Sequence, residues 1–246
     1  MIIGISGKKQ SGKSTSGNFL YSLIMVESGV CSRTWINNEG KIEISDLMGD
    51  TNYQKTIFDP CLSRQSSDWN IKKALDILDP LIKIYNFADT LKQNICIDIL
   101  GMTYDQCYGS DEDKNTLTDL YWDESRLSAR DAMQLIGTDL FRKLKRNVWA
   151  EATLNKILKE QPRIAIITDC RFPNEVQEIK NNGGKVVRLT KQISDAEHDS
   201  ETILDKHRYD WSNFDYIIEN QSMSIFDQCI KLNDIFRNIK ESVLNK

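Results

Sequence analysis

A short loop near the start of the chain has residue types and spacing that suit phosphate binding. Residues 7–14 read G-K-K-Q-S-G-K-S, and the glycines let successive backbone N–H groups converge on phosphate oxygens. In this pattern the ammonium group of Lys13 reaches the β- and γ-phosphates, and the hydroxyl of Ser14 binds Mg²⁺. The loop therefore predicts a site for a nucleoside triphosphate.

The segments on both sides of the loop are those that such a loop requires. Residues 1–5 form an apolar run typical of a buried strand, and residues 15–26 read as a helix. A helix that starts at the loop turns its positive N-terminal end toward the bound anion. This context favours binding of a nucleoside triphosphate over a chance match. The predicted contacts to the triphosphate are Gly7, Lys8, Ser11, Gly12, Lys13, Ser14 and Thr15.

Composition indicates a globular protein with small-molecule partners. The 246 residues include 40% apolar residues, and the net charge is −4. This length allows one α/β domain with insertions or two small domains. A net negative charge gives no general electrostatic attraction to nucleic acid or to an anionic membrane. The six cysteines have neither C-x-x-C spacing nor a histidine cluster, so we expect reduced thiols rather than a zinc site or disulfides.

Targeting signals are not visible in the sequence. The first residues contain no basic segment followed by a cleavage site, and no run of about 18 apolar residues occurs. We therefore expect a soluble protein of the cytoplasm.

Strand-like and helical patterns alternate along the chain, which predicts a parallel sheet with crossover helices. The predicted strands are 2–6, 82–87, 164–168, 185–189 and 216–219. The predicted helices are 14–26, 90–100, 129–143, 148–160, 174–182 and 224–242.

Two stretches interrupt this alternation within what we interpret as a single domain over residues 1–246. Residues 31–80 contain a hairpin signal at 35–44 with a glycine in the turn, which indicates an inserted flap. Residues 103–128 are polar and acidic and look too irregular for a core. They fit either a lid or a solvated connecting loop.

The type of phosphate-loop protein can be narrowed. The N-K-x-D motif by which a GTPase reads its base is absent, and so are further signatures of motor or transport ATPases. A small-molecule kinase remains, and its acceptor site should contain a second group of cations.

Four further motifs accompany the loop in order: F-A-D-T-L-K at 87–92, A-R-D-A-M-Q-L-I-G-T-D at 129–139, T-D-C-R-F-P-N-E at 168–175 and H-D-S-E at 198–201. Together they resemble the deoxynucleoside monophosphate kinases of tailed bacteriophages. The resemblance implies a three-layer α/β fold with a mostly parallel sheet, like that of nucleoside monophosphate kinases. It also implies transfer of the ATP γ-phosphoryl group to a deoxynucleoside monophosphate with Mg²⁺, in a host-cell cytoplasm.

Asp169 and Arg171 follow the predicted strand 164–168, and ligands of open α/β sheets bind at the carboxyl ends of the strands. We predict that Arg171 bridges the donor and acceptor phosphates. Asp169 would orient the acceptor or a metal-bound water, so Ser14 and Asp169 are the predicted metal ligands. The alternative is a structural Asp–Arg pair at the start of the next helix. The predicted catalytic residues are Lys13, Arg130, Asp169 and Arg171.

The acceptor site is assigned by resemblance, which gives Arg130 and Lys92 to the acceptor phosphate and Gln134 to the base edge. Its members are Asp89, Lys92, Arg130, Gln134, Arg171, His198 and Glu201. Arg130 and Lys92 also fit ordinary solvated charges at helix starts. His198 receives no chemical role, because transfer to an ionised phosphate needs no general base.

Three functions remain open. The first is the deoxynucleotide kinase. The second is a kinase of another small metabolite, such as dephospho-coenzyme A. The third is a non-catalytic nucleotide-binding module, against which the cations Lys13, Arg130 and Arg171 argue. Base preference and the choice between monomer and homodimer are not determined by the sequence.

Overall fold

A computed structural model describes residues 1–192 and 202–244. The chain divides into two compact units. Unit 1 comprises Met1–Tyr85 and Ile157–Lys246, and unit 2 comprises Asn86–Lys156. Within the described ranges, no helix is both long and apolar enough to cross a membrane. The six cysteines are free thiols, as expected, and all but Cys61 are buried.

The elements are numbered along the chain. The strands are β1 (Ile2–Ser6), β2 (Thr34–Ile36), β3 (Ile42–Ile44), β4 (Thr56–Phe58), β5 (Ile82–Tyr85), β6 (Leu117–Trp122), β7 (Ser125–Ser128), β8 (Ile164–Cys170), β9 (Lys185–Leu189) and β10 (Tyr216–Ile218). The α-helices are α1 (Lys13–Glu27), α2 (Trp69–Leu78), α3 (Tyr104–Tyr108), α4 (Asp111–Lys114), α5 (Ala129–Gln134), α6 (Arg142–Leu144), α7 (Val148–Glu160), α8 (Pro173–Asn181) and α9 (Ile225–Leu244). Segments Thr90–Ile97 and Leu135–Phe141 are π-helical, and short 3-10 turns occupy Thr51–Tyr53, Leu62–Gln65 and Trp211–Asn213.

Unit 1 is built on the predicted parallel sheet. Its strand order is β10-β9-β1-β8-β5, and every neighbouring pair is parallel. The α/β class and the parallel sheet are therefore confirmed. Three predicted strand ends were wrong, because β5 stops at Tyr85, β8 continues to Cys170 and β10 stops at Ile218. Asp169 thus lies inside β8 rather than after it.

The central position of β1 places the phosphate loop next to the end of β8. Ser6 pairs with Cys170 across the two strands, so the loop and Arg171 leave the sheet at the same edge. Helix α1 packs closely on β8, because a Cβ added to Gly17 would lie 2.5 Å from the methyl carbon of Thr168. The short distance between α1 and β8 depends on glycine at this position.

The insert 31–80 contributes to the core of unit 1. The predicted hairpin is present as β2 and β3, with Gly40 at a φ of +76° in its turn. The sequence did not predict β4 or α2. Helix α2 begins after Asp68, whose side chain accepts from two backbone amides, and it buries Ala74, Leu75 and Leu78. These helix residues join the same buried cluster as the strand and α1 side chains.

Unit 2 contains helices that depart from the expected geometry. The predicted helix 90–100 is π-helical over Thr90–Ile97, and the predicted helix 129–143 changes from α to π at Leu135. In the second π segment, the carbonyl of Gly137 accepts a hydrogen bond from the indole of Trp149 at 2.9 Å. A Cβ at Gly137 would lie 2.6 Å from Leu91. Close packing of the two π segments therefore requires glycine at position 137.

Residues 103–128, interpreted above as a lid or a solvated connecting loop, contain regular elements that the sequence did not predict. This segment forms α3, α4 and the antiparallel hairpin β6–β7. The hairpin turn consists of Asp123 and Glu124, both in the left-handed region with φ of 44° and 67°. Such a turn normally uses glycine or asparagine, so its sequence signal was missing.

Candidate active site

The loop between β1 and α1 is tightly folded. Gly12 precedes α1 with a φ of +95°, and Gln10 is a non-glycine residue with a φ of 60°. A Cβ on Gly7 would lie 2.3 Å from the Ser11 hydroxyl. Backbone strain of this kind is typical of functional loops, and here it allows the loop to curve before the helix begins.

Lys13 is held inside the concave side of the loop. Its Nζ donates to the carbonyl of Gly7 at 2.7 Å and to that of Lys8 at 2.6 Å, and the residue is only 7% exposed. These bonds compensate the cost of burying an ammonium group. Ser14, one residue further along α1, is exposed. The loop thus combines one buried cation with an accessible hydroxyl.

Two charged residues near the loop, Asp205 and Arg188, were not predicted from the sequence. Asp205 forms an ion pair with the predicted loop residue Lys8, at 2.9 Å. Arg188, only 3% exposed on β9, donates to the Ser6 hydroxyl at 3.0 Å. A charged residue within the apolar run of β9 was the signal available for Arg188, whereas Asp205 lies 197 residues from Lys8 and had none.

The turn after β8 is organised by Glu175. This carboxylate is 2% exposed and accepts from the backbone N–H of Arg171 at 2.7 Å and of Phe172 at 3.0 Å. Burial and the neighbouring carboxylates raise the pKa of the Cys170 thiol well above its usual value. The acidic residue in the first turn after Pro173 was the sequence signal for this cap.

Glu175→Ala is expected to destabilise unit 1 by about 2 kcal/mol, because two backbone donors lose their acceptor. Equilibrium urea unfolding followed by circular dichroism measures this change. Glu175→Gln keeps one acceptor oxygen and should lose less. Equal unfolding free energies for wild type and Glu175→Ala would contradict the capping role.

In unit 2, Asp89 and Lys92 converge on a tyrosine that the sequence did not reveal. The hydroxyl of Tyr108 donates to Asp89 at 3.3 Å, and the Nζ of Lys92 lies 4.7 Å from the centre of its ring. Burial raises the pKa of the Tyr108 hydroxyl, which therefore stays protonated. Asp89 also accepts from the backbone of Asn86 at 3.1 Å. The structure brings these residues into one cluster.

Arg130 lies on α5, where its guanidinium donates to Asn115 at 3.0 Å and to Asp111 at 2.9 Å. Its side chain is 44% exposed. Gln134, at the end of the same helix, is exposed. Both side chains belong to unit 2, whereas Lys13, Asp169 and Arg171 belong to unit 1. The predicted residues His198 and Glu201 lie outside the described residues.

The predicted Mg²⁺ ligands have suitable chemistry. Ser14 and Asp169 offer hydroxyl and carboxylate oxygens, the donors that Mg²⁺ prefers. Among the described residues, no group of three or more His, Cys, Asp or Glu side chains forms a metal cage. Such a cage is not required, since Mg²⁺ at phosphate sites binds through one or two protein ligands, water and the phosphates themselves.

Comparison with known proteins places the chain in a family. The family model for deoxynucleotide monophosphate kinase matches residues 64–228. A protein of Acanthamoeba polyphaga mimivirus, provisionally named a deoxynucleotide monophosphate kinase, is 29% identical over 133 residues. This match covers 48% of the chain and 67% of the relative.

The second relative, from Escherichia phage T5, is named deoxynucleoside-5′-monophosphate kinase. It is 44% identical over 68 residues, which cover 27% of the chain and 24% of the relative. The family match spans most of the chain, including the turn after β8 and helix α5. The chain belongs to the deoxynucleotide monophosphate kinase family.

Proposed function

We propose that this protein transfers the γ-phosphoryl group of ATP to a deoxynucleoside 5′-monophosphate, giving ADP and a deoxynucleoside diphosphate. The observation that carries this proposal is the arrangement of unit 1. The loop with Lys13 and the turn with Arg171 leave neighbouring strands, which are paired through Ser6 and Cys170. Two cations at one sheet edge suit the migrating phosphoryl group.

On the donor side, the backbone N–H groups of the loop bind the β- and γ-phosphate oxygens. Lys13 exchanges its bonds to the carbonyls of Gly7 and Lys8 for bonds to these oxygens. Arg171 neutralises charge on the equatorial oxygens as the phosphoryl group moves. Ser14 and Asp169 would hold Mg²⁺, which would shield the phosphate charges.

On the acceptor side, Arg130 and Lys92 bind the monophosphate, and Gln134 contacts the base. An ionised oxygen of the acceptor phosphate forms the new bond to the γ-phosphorus, while the bond from the γ-phosphorus to the β–γ bridging oxygen breaks. No proton needs to be removed from the acceptor, so no general base is required.

The segment 103–128 has a place in acceptor binding. Asp111 and Asn115 hold Arg130 within unit 2. An acceptor phosphate is a stronger partner for a guanidinium group than these two side chains, because it offers a doubly charged, bidentate set of oxygens. Arg130 is therefore released from Asp111 and Asn115 when the acceptor binds.

Coupled detection of ADP tests the proposal, with Mg-ATP and a panel of dTMP, dGMP, dCMP, dAMP and dephospho-coenzyme A. Turnover with at least one deoxynucleotide supports it. Turnover with dephospho-coenzyme A alone would establish the metabolite kinase instead. ATP binding without turnover of any acceptor would indicate a binding module.

Arg130→Ala should raise the KM for the deoxynucleotide about tenfold and leave the KM for ATP unchanged, since one charge-assisted contact to the acceptor is lost. Arg126→Ala is the matched control. Arg126 is also 44% exposed and also pairs with one carboxylate, that of Asp119. Initial rates with each substrate varied in turn measure both KM values. An unchanged KM for the deoxynucleotide in Arg130→Ala would show that Arg130 does not bind the acceptor.

A further inference from the structure

Two buried amide side chains lie behind the phosphate loop, outside every motif considered so far. Asn220 follows β10 and is 1% exposed, and Gln228 in the first turn of α9 is 6% exposed. The Nδ2 of Asn220 donates to the Oε1 of Gln228 at 2.6 Å. Burial of a polar amide is costly unless its hydrogen bonds are satisfied. The other hydrogen-bond partners of the two amides therefore show what the pair holds in place.

Those partners belong to the phosphate loop and the start of α1. Asn220 Nδ2 donates to the carbonyl of Ser11 at 2.8 Å. Gln228 Nε2 donates to the carbonyl of Gly12 at 3.2 Å and to the hydroxyl of Ser16 at 2.8 Å. The pair therefore holds the carbonyls of two consecutive peptide units.

Fixing a carbonyl also fixes the neighbouring N–H group. In a planar trans peptide, the C=O of one residue and the N–H of the next point in opposite directions. The bond to Ser11 therefore sets the direction of the Gly12 N–H. The bond from Gln228 to Gly12 adds to the helical bond that the Gly12 carbonyl accepts from the Ser16 N–H at 2.9 Å, and together they set the direction of the Lys13 N–H. These N–H groups lie at the start of α1, where helices bind anions.

The amide pair has one consistent set of bonds. Oδ1 of Asn220 accepts from the backbone N–H of Lys191 at 2.8 Å. Together with the bonds above, this uses both N–H donors of each amide and gives each amide oxygen a donor. A fully satisfied buried network fixes its members in one arrangement.

Gly12 is coupled to the same pair. A Cβ at this position would lie 2.8 Å from Gln228 Nε2, in addition to the strain from a φ of +95°. The close approach of the amide thus requires glycine in the loop.

We propose that Asn220 and Gln228 are positioning residues that orient the Gly12 and Lys13 N–H groups toward the triphosphate of ATP. They touch no reacting atom and act through the loop. This inference rests on the proposed function, since it assumes that the loop binds ATP.

Calorimetric titration with Mg-ATP alone tests the inference. Gln228→Met keeps the side-chain volume and removes the donors, and we expect a Kd about tenfold higher. Gln221→Met is the matched control, because the Gln221 amide bonds to the backbone of Gln192. The KM for the deoxynucleotide should stay unchanged in both variants. Circular dichroism establishes that each variant is folded at the titration temperature.

Asn220→Asp is a second, independent variant. It keeps the acceptor for Lys191 and replaces the donor to Ser11, so the Kd for Mg-ATP should again rise about tenfold. Gln221→Glu places the same charge on the adjacent residue and controls for its effect on the phosphates. If Gln228→Met fails to fold, the Kd for Mg-ATP of Asn220→Asp, compared with that of Gln221→Glu, decides whether the amides position the loop.

The outcomes separate the two proposals. Weaker ATP binding in folded Gln228→Met or Asn220→Asp, with normal binding in the controls, supports positioning. Wild-type affinity in both folded variants, with only a lower melting temperature, would overturn positioning and leave the kinase proposal intact. A wild-type protein that does not bind Mg-ATP would overturn both.

Discussion

Lys13→Ala is expected to lower kcat by roughly 10³-fold while weakening Mg-ATP binding much less. The ammonium group is held among the loop carbonyls of Gly7 and Lys8, next to the proposed position of the β- and γ-phosphates. Negative charge on the β–γ bridging oxygen grows as the bond to the γ-phosphorus breaks. A cation there stabilises the transition state more than the bound substrate, so its loss appears mainly in kcat.

Steady-state rates of ADP formation give kcat, and calorimetric titration gives the Kd for Mg-ATP. Lys240→Ala is a suitable control. Lys240 lies on α9 and pairs with Glu27, which ends α1 at the far end from Lys13, with 3.1 Å between Nζ and Oε1. This control should retain wild-type turnover. Wild-type kcat in Lys13→Ala would exclude the loop from the transfer mechanism.

The parts of the site that were predictable from the sequence are contiguous along the chain. Strand β1, the loop and α1 occupy Ile2–Glu27 without interruption, and each leaves a local pattern. Arg171 was predicted for the same reason, since it follows directly after the buried strand β8. In both cases the order of residues alone places a polar group at the carboxyl end of a strand.

The residues that support the site were not predictable in this way. Asn220 meets Ser11 across 209 positions of sequence, and Gln228 meets Ser16 across 212. Nothing near either amide in the sequence indicates which carbonyl it will face. Such partnerships follow from the packing of α9 and β10 against the loop, which a single sequence does not specify.

Local geometry was also only partly predictable. The predicted helices 90–100 and 129–143 of unit 2 are present, but their π-helical turns and the short helices α3 and α4 were not predicted. Over the eight residues of Thr90–Ile97, a period of 3.6 residues and a slightly longer one produce almost the same apolar pattern. The hairpin β6–β7 was missed because Asp123 and Glu124 occupy its left-handed turn positions without the usual residue types.

Arg171→Ala is expected to lower kcat by roughly 10³-fold, the lower end of the effect of removing an arginine finger. The backbone of Arg171 is anchored independently of its side chain, because its N–H donates to the buried carboxylate of Glu175. The substitution should therefore leave the turn after β8 in place. What it removes is a planar cation with several donors beside the proposed position of the migrating phosphoryl group.

Arg171→Lys separates charge from geometry. An ammonium group restores the charge but not the forked donors, so its kcat should fall between those of wild type and Arg171→Ala. Arg237→Ala, an exposed arginine on α9, controls for the loss of one positive charge and should keep wild-type turnover. Thermal unfolding is measured on the same samples. A lower melting temperature with normal kinetics in Arg171→Ala would mean that the arginine stabilises the turn and takes no part in transfer, because a residue that neutralises transition-state charge cannot be removed without slowing the chemical step.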